Sequence, residues 1–379
     1  MLCMVRRTVR GGVDEPLAVD EPLAVDRSLA LQVSRDDLHH VRIVETGPVE
    51  PGPGEVLFRV ERFGVSANNV TYAQLGDTLG YWDIFPAGRG WGQIPVWGYL
   101  HAVASRSGEV AAGRRAFGLA PMATHVMLRP GRGEAGGFRN TSIHRSAHSG
   151  VYSSYFWADG DHPDRRIADA LTVLRPLFWL SFTVDNHLAE CDALTSGVVI
   201  TSASSKAAIG LGYLLRRRGV AAIGLTSSQH AGFVEETSAY DRVLTYDQLG
   251  ALAALGGPRP VLVDVAGRHA LREEIGRRLA GRVVSTVVAG LTHGDGNSAP
   301  DGGTGLFSAP QQIRDLSRRW GWPVLSQRFA TALDEFAESA TWLTIETARG
   351  IDGAAHVYRQ ILGNNSPPAT GHIVDLGPA

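Results

Sequence analysis

The sequence predicts a two-domain α/β protein in which a small β-barrel is joined to a doubly wound parallel sheet. Three observations carry this expectation. The chain has 379 residues, more than one ordinary hydrophobic core accommodates. Between about Ser28 and Leu128, short β-rich runs follow one another with Gly and Pro between them, the pattern of a small barrel. After about Val151, buried apolar runs alternate with helical patterns, as in a parallel sheet covered on both faces.

Taken in order, the chain opens with Asp-Glu-Pro-Leu-Ala-Val twice in tandem, at Asp14–Val19 and Asp20–Val25. The unit is too short for a structural repeat and carries proline, so residues 1–26 read as a disordered tail. Pro51-Gly52-Pro53-Gly54 then introduces a strand over Val56–Phe63. Val103–Val110 reads as strand and turn, with further strands at Ala116–Leu119 and Thr124–Leu128. In the second half, apolar strands are expected at Val198–Thr201, Ala221–Leu225, Arg242–Leu244, Val261–Val265 and Val283–Val288. A helix over Gly353–Leu362 precedes a last strand, Gly371–Leu376, which suits the barrel better than the parallel sheet. The expected limits are 27–150 with 331–379 for the barrel domain and 151–330 for the parallel-sheet domain.

Hydrophobic residues make up 44% and charged residues 20%, ordinary for a soluble globular protein. The net charge of −2 gives no general attraction to nucleic acid or anionic membrane, so neither is an expected partner. No uninterrupted apolar run reaches the roughly 18–20 residues that cross a bilayer. The basic stretch Met1–Arg10 lacks the apolar core of a secretory signal, so the cytoplasm is the expected location. Cys3 and Cys191 lie too far apart in sequence for a disulfide framework or a cysteine zinc site. Of 36 basic residues only Lys206 is lysine, which suggests a place that needs a compact ammonium rather than a planar guanidinium.

That lysine sits in the turn after the first parallel strand, Thr201-Ser202-Ala203-Ser204-Ser205-Lys206-Ala207-Ala208. A doubly wound sheet of the Rossmann type places a pyrophosphate here, against the free N–H groups of the following helix. The glycine fingerprint is absent. Ser202, Ser205 and Ala208 stand where glycines would, the hydroxyls of Ser202, Ser204 and Ser205 add donors, and Lys206 adds a charge. The same residues would also cap an ordinary helix. After the second strand, no acid appears before Glu235; Thr226, Ser227 and Ser228 instead offer hydroxyls that suit a 2′-phosphate, and His230 and Tyr246 could complete the pocket. The expected cofactor is therefore NADP(H) rather than NAD(H), with a plain polar loop as the alternative.

Several segments resemble the medium-chain dehydrogenase and quinone reductase superfamily. Pro51–Val60 with Phe63–Asn69 looks like the opening of its GroES-like domain, and Gly108-Glu109-Val110 with Gly113–Gly118 like its turn-and-strand signature. Tyr240–Tyr246 is similar to the third-strand motif whose final tyrosine lies near the 2′-phosphate in NADP-using members. Val263-Asp264-Val265-Ala266-Gly267 and Val288-Ala289-Gly290 match strand ends that flank the nicotinamide, which implies roles for Asp264 and Gly290. The Ser-Ala-Ser-Ser-Lys turn resembles a divergent branch of unassigned function. The family's Gly-His-Glu zinc motif is replaced by Gly98-Tyr99-Leu100-His101-Ala102, its four-cysteine lobe is missing, and His125, His144 and His148 are loosely spaced, so no metal is expected.

The resemblance implies hydride transfer without zinc, which needs another group to meet charge developing on oxygen. Tyr81 stands near the place where zinc-free enoyl reductases of this superfamily carry their acid; Tyr72 competes for the role. Asn69 matches a cleft-facing position of quinone reductases, and Tyr152 and Tyr155 lie at the domain junction. Trp82, Phe85, Trp91 and Trp97 could line an apolar pocket or fill a core. The expectation is a reductase of a carbonyl or conjugated double bond in a small, partly apolar substrate. A lyase, isomerase or dehydratase on a vacated dinucleotide site is the rival, and a non-catalytic binding role is the third reading. Edge-to-edge pairing in related proteins implies a homodimer.

Overall fold

The structure, a computed structural model, describes residues 25–47, 49–133, 136–142, 144, 150–160, 162–190, 197–253, 260–279, 281–289 and 307–377. Both cysteines, His148, Gly290 and nearly all of the tandem hexapeptide lie outside the described residues. Of the expected tail 1–26, Val25 and Asp26 are described, and Val25 exchanges backbone hydrogen bonds with Val49.

The first domain is built on Val56–Val65, which pairs antiparallel with Pro95–Ser105 on one side and Thr370–Asp375 on the other. Val56, Leu57, Phe58, Val60 and Phe63 are all buried. The strand is thus apolar on both faces, and register shifts after Leu57 and Val60 bend it. The sheet continues through Arg115–Pro121, Ser154–Trp157, Gly137–Asn140 and Pro130–Arg132, while His125–Leu128 also joins Val56–Val65. The last strand of the chain therefore belongs to the barrel, as its sequence suggests.

The second domain holds five parallel strands in the order Arg242–Thr245, Ala222–Thr226, Val198–Ile200, Val261–Asp264, Thr286–Val288. The order reverses at Val198–Ile200, so the crevice for a ligand opens beyond the carboxyl ends of that strand and Val261–Asp264.

Helix Arg165–Glu190 joins the two domains. Ile167, Leu171, Leu174, Phe178 and Phe182 recur at helical spacing and enter the core with helices Lys206–Arg217 and Trp322–Ser339. Two glycines permit its close contacts. A Cβ on Gly64 would meet the Thr172 carbonyl at 2.8 Å, and one on Gly210 would meet Ser181 Oγ at 2.8 Å. By length and composition this helix could cross a membrane, but 67% of its apolar window is buried inside the protein.

Both expected domain boundaries move. Ser154–Trp157 pairs with Arg115–Pro121 and belongs to the barrel, although residues 151–157 were expected in the second domain. Helix Trp322–Ser339 buries Leu325, Phe329, Leu333 and Phe336 in the parallel-sheet core, so that domain runs past 330 to about Ala340. Strand partners and the apolar helix face decide these limits, and neither is visible in a local window.

Candidate functional site

The carboxyl ends of the parallel strands face the barrel across a cleft of about 1030 Å³. Ser202, Ser204, Ser205, Lys206, Thr226, Ser227, His230 and Tyr246 line one side, and Asn68, Tyr72, Tyr81, Trp97 and Tyr152 line the other.

The first wall begins with the turn after Val198–Ile200. Ser202 holds a left-handed backbone at φ 50°, a conformation that glycine adopts without strain. Its N–H donates to the Tyr246 hydroxyl at 3.1 Å, which ties the turn to the third strand. Ser204 Oγ lies 3.4 Å from His230 Nδ1, and Ser205 caps helix Lys206–Arg217 by accepting from the Ala208 N–H. The first-turn amides of a helix lack intrahelical partners, and here Ser205 satisfies that of Ala208. At the end of the second strand, Ser227 Oγ is buried with no hydrogen-bond partner among the described residues. A buried hydroxyl without a partner costs free energy, and here it marks a place where a ligand oxygen would fit.

Three expected cofactor residues are placed otherwise. Asp264 is fully buried, at 0% exposure. Its carboxylate accepts from Thr201 Oγ1 at 2.7 Å, Gly267 N–H at 3.1 Å and Arg272 Nη1 at 2.8 Å, so it braces the strand ends from behind and does not reach the cleft. Thr201 Oγ1 in turn accepts from the Val265 and Ala266 amides, which sets the cleft floor. Ser228 is exposed and lies off the cleft wall. Lys206 lines the cleft, but its ammonium reaches across to the barrel and donates to the carbonyls of Pro368 at 2.9 Å and Thr370 at 2.6 Å. Burial lowers its pKa to about 8.

The second wall is aromatic. Tyr72 comes from helix Ala67–Gln74, Tyr81 from the helical turn Tyr81–Asp83 and Tyr152 from the turn Gly150–Ser153. Their ring centroids are 4.7 Å apart for Tyr72–Tyr81, 5.9 Å for Tyr81–Tyr152 and 6.4 Å for Tyr72–Tyr152. Trp97 Nε1 donates to the Tyr72 hydroxyl at 3.4 Å, and the Tyr81 and Tyr152 hydroxyls are 3.5 Å apart. Burial pushes the Tyr72 hydroxyl up to about 12 and holds Tyr152 well above its ordinary value.

Asn69 is not part of this wall. It is 4% exposed; its Oδ1 accepts from the Ser66 N–H at 2.8 Å and its Nδ2 donates to the Pro95 carbonyl at 2.8 Å. The neighbouring Asn68 lines the cleft instead. Tyr155 is core, with its hydroxyl donating to the Leu119 carbonyl. Of the four clustered aromatics only Trp97 reaches the cleft; Trp82 and Phe85 fill the barrel core, and Trp91 stacks under Arg42 at 3.8 Å. The C-terminal segment through Ser366, Pro368, Thr370 and His372 also lines the cleft, which no local pattern announces. Among the described residues, no group of three or more His, Cys, Asp or Glu could hold a metal ion.

Residues 63–366 match the family described as a protein of unknown function, DUF2855. No curated protein matches the chain. Among solved structures, CurA from Vibrio vulnificus in complex with NADPH is 11% identical, with 93% of this chain and 100% of that chain covered at a TM-score of 0.57. A mycobacterial quinone oxidoreductase is 16% identical, with 92% and 100% covered at 0.54. An Etr1p mutant in complex with NADP and crotonyl-CoA is 12% identical, with 93% and 100% covered at 0.59. These are medium-chain dehydrogenases/reductases, and the chain shares their GroES-like plus Rossmann fold over nearly its whole length.

Proposed function

We propose, from the premise that the chain belongs to the DUF2855 family, that it is an NADP(H)-dependent oxidoreductase that needs no zinc. Its substrate would be a small, partly apolar compound with a carbonyl or a conjugated double bond. The observation that carries this reading is Ser227 Oγ, buried at the second strand end without a partner among the described residues, next to a helix-start turn at the sheet's switch point. Structural neighbours that hold NADPH or NADP support it.

In this reading the amide and hydroxyl of Ser204 and the hydroxyl proton of Ser205 receive the pyrophosphate. Thr226, Ser227, His230 and Tyr246 surround the adenosine ribose and its 2′-phosphate, where a carboxylate would repel it. When bound, the cofactor supplies the hydride. The chain's own residues position the substrate, exclude water and deliver a proton. Trp97, Tyr72 and Tyr152 form the apolar face against which a planar substrate lies, and Tyr81 donates the proton from its hydroxyl. Tyr72 and Tyr152 keep their protons at neutral pH, so both serve as hydrogen-bond donors around Tyr81.

One observation favours a second reading, a lyase or isomerase in the same cleft. The Ser202 amide, first donor of the turn, is already engaged by Tyr246. Titration with NADPH and NADH, followed by nicotinamide fluorescence, separates the two. Selective binding of NADPH supports the reductase, and no binding of either nucleotide overturns it in favour of the non-redox reading.

A further inference from the structure

The C-terminal wall of the cleft holds a constellation that the hydride-transfer reading leaves unused. Ser366 Oγ lies 2.7 Å from His372 Nε2, and His372 Nδ1 lies 3.6 Å from Glu346 Oε2. The parallel pairing of Thr344–Arg349 with Thr370–Asp375 sets Glu346 opposite His372, so backbone register aligns the carboxylate with the imidazole. His372 is 2% exposed and fixed within the sheet, whereas Glu346 is 57% exposed at its edge. Ser366 sits in a turn stiffened by Pro367 and Pro368 and preceded by Asn364, whose φ is 56°. Both Ser366 and His372 face the cleft.

We propose that Ser366, His372 and Glu346 form a second reactive centre, a serine activated for attack on the acyl carbon of an ester or thioester. A hydroxyl is a poor nucleophile unless a base accepts its proton, and the base must be held in one tautomer by a third group. Here Nε2 accepts from the Ser366 hydroxyl, while Nδ1–H faces Glu346. In the reaction Ser366 Oγ bonds to the acyl carbon and its proton passes to Nε2. The bond to the leaving alcohol or thiol then breaks, and Nε2 returns the proton to that group. Water attacks the acyl-serine by the same route and releases the acid.

Charge around the site suits this step. Burial lowers the His372 pKa, as do Lys206 and His356, while Glu346 raises it; the net effect is a neutral, accepting imidazole at pH 7. Lys206 uses two of its three ammonium protons on the carbonyls of Pro368 and Thr370, in the segment that carries Ser366. The third proton and the positive charge are available to an oxyanion in the cleft. The chain's only lysine is thus explained: three divergent donors on one compact nitrogen are required, and a planar guanidinium does not supply them.

The test is labelling of the full-length protein with diisopropyl fluorophosphate, with the adduct located by peptide mass mapping. It needs no nucleotide, so this centre and the reductase reading can each fail alone. Expected is one adduct at Ser366, absent in Ser366→Ala, at a rate that rises through the imidazole titration, levels off near pH 7 and declines as Lys206 loses its proton above about pH 8. His372→Gln should lower the rate at least about 100-fold. Because His372 is buried and that variant could unfold, Glu346→Gln at the exposed sheet edge gives an independent reading, with an expected loss of about tenfold. No adduct at Ser366 overturns the proposal. So does a rate that climbs tenfold per pH unit without a plateau, or one unchanged in Glu346→Gln.

Discussion

The two walls of the main cleft are built in opposite ways. The parallel-sheet wall comes from two short sequence segments, 201–206 and 226–230, together with Tyr246, and hydrogen bonds within and behind it brace it before any ligand arrives. Asp264 accepts three hydrogen bonds, Thr201 joins two strand ends, and Tyr246 holds the Ser202 amide. The aromatic wall gathers Tyr72, Tyr81, Trp97 and Tyr152 from distant segments, and its hydroxyls meet mainly one another. The first wall is a preorganised scaffold whose disruption should appear as lost stability. The second is a chemical surface whose disruption should appear as lost turnover.

The largest effect should come from the scaffold. Asp264→Ala leaves Arg272 without its buried partner and frees Thr201, and should cost about 3–5 kcal/mol of unfolding free energy in urea titrations. Adding Arg272→Met should restore part of that loss, because the uncompensated charge is then removed as well. A loss below about 1 kcal/mol would erase the contrast between the walls.

Next, Tyr81→Phe should lower turnover at least tenfold, about 1.4 kcal/mol in barrier, with unfolding midpoint and NADPH affinity unchanged. Full activity in that variant would move the proton donor to Tyr72 or Tyr152.

Ser227→Ala crosses the boundary between the walls. Removing a buried, unpartnered hydroxyl should leave the free protein equally stable or more stable by up to about 1 kcal/mol. It should nevertheless weaken NADPH binding about three- to tenfold, with less effect on NADH. Equal loss for both nucleotides would place Ser227 away from the 2′-phosphate.

The smallest effect concerns Lys206. Its folded-state pKa of about 8 lies below the ordinary 10.5, so between those values the unfolded chain binds more protons than the folded one. Stability contributed at this residue therefore rises with pH across that window. The difference between the wild type and Lys206→Met should grow in favour of the wild type by on the order of 1 kcal/mol from pH 8 to 10.5, read by urea unfolding. A flat difference would mean that the ammonium is not desolvated at the domain junction.

Much of the scaffold was legible in the sequence because its signals are local. The Val198–Ile200 strand, the Ser205 cap and the helix through Arg217 follow from apolar runs, capping chemistry and 3.6-residue spacing. The acid-free second strand end points to Ser227 for the same reason. Side-chain direction was less accessible. Asn68 and Asn69 are adjacent on one helix, about 100° apart in direction, and only packing against Pro95 decides which of them faces the cleft. Asp264 could have pointed outward from its strand end, but Arg272, on the helix His269–Arg278, captures it.

What the sequence alone determined is the architecture: a barrel, a parallel sheet with its first turn at a helix start, and a tail-end strand returning to the barrel. Periodicity and turn chemistry act over a few residues, and they suffice for that. What only the tertiary structure decided is which polar atoms remain available. Lys206, Asp264 and Asn69 spend donors and acceptors on Pro368 and Thr370, Thr201 and Arg272, and Pro95, while Ser227 Oγ has no partner among the described residues. Glu346 and His372 meet because two parallel strands align in one register, and Ser366 reaches His372 from the turn before the second of them. Hydrogen-bond satisfaction is a property of the whole packed molecule, so the chemistry of a site is settled only when the chain is folded.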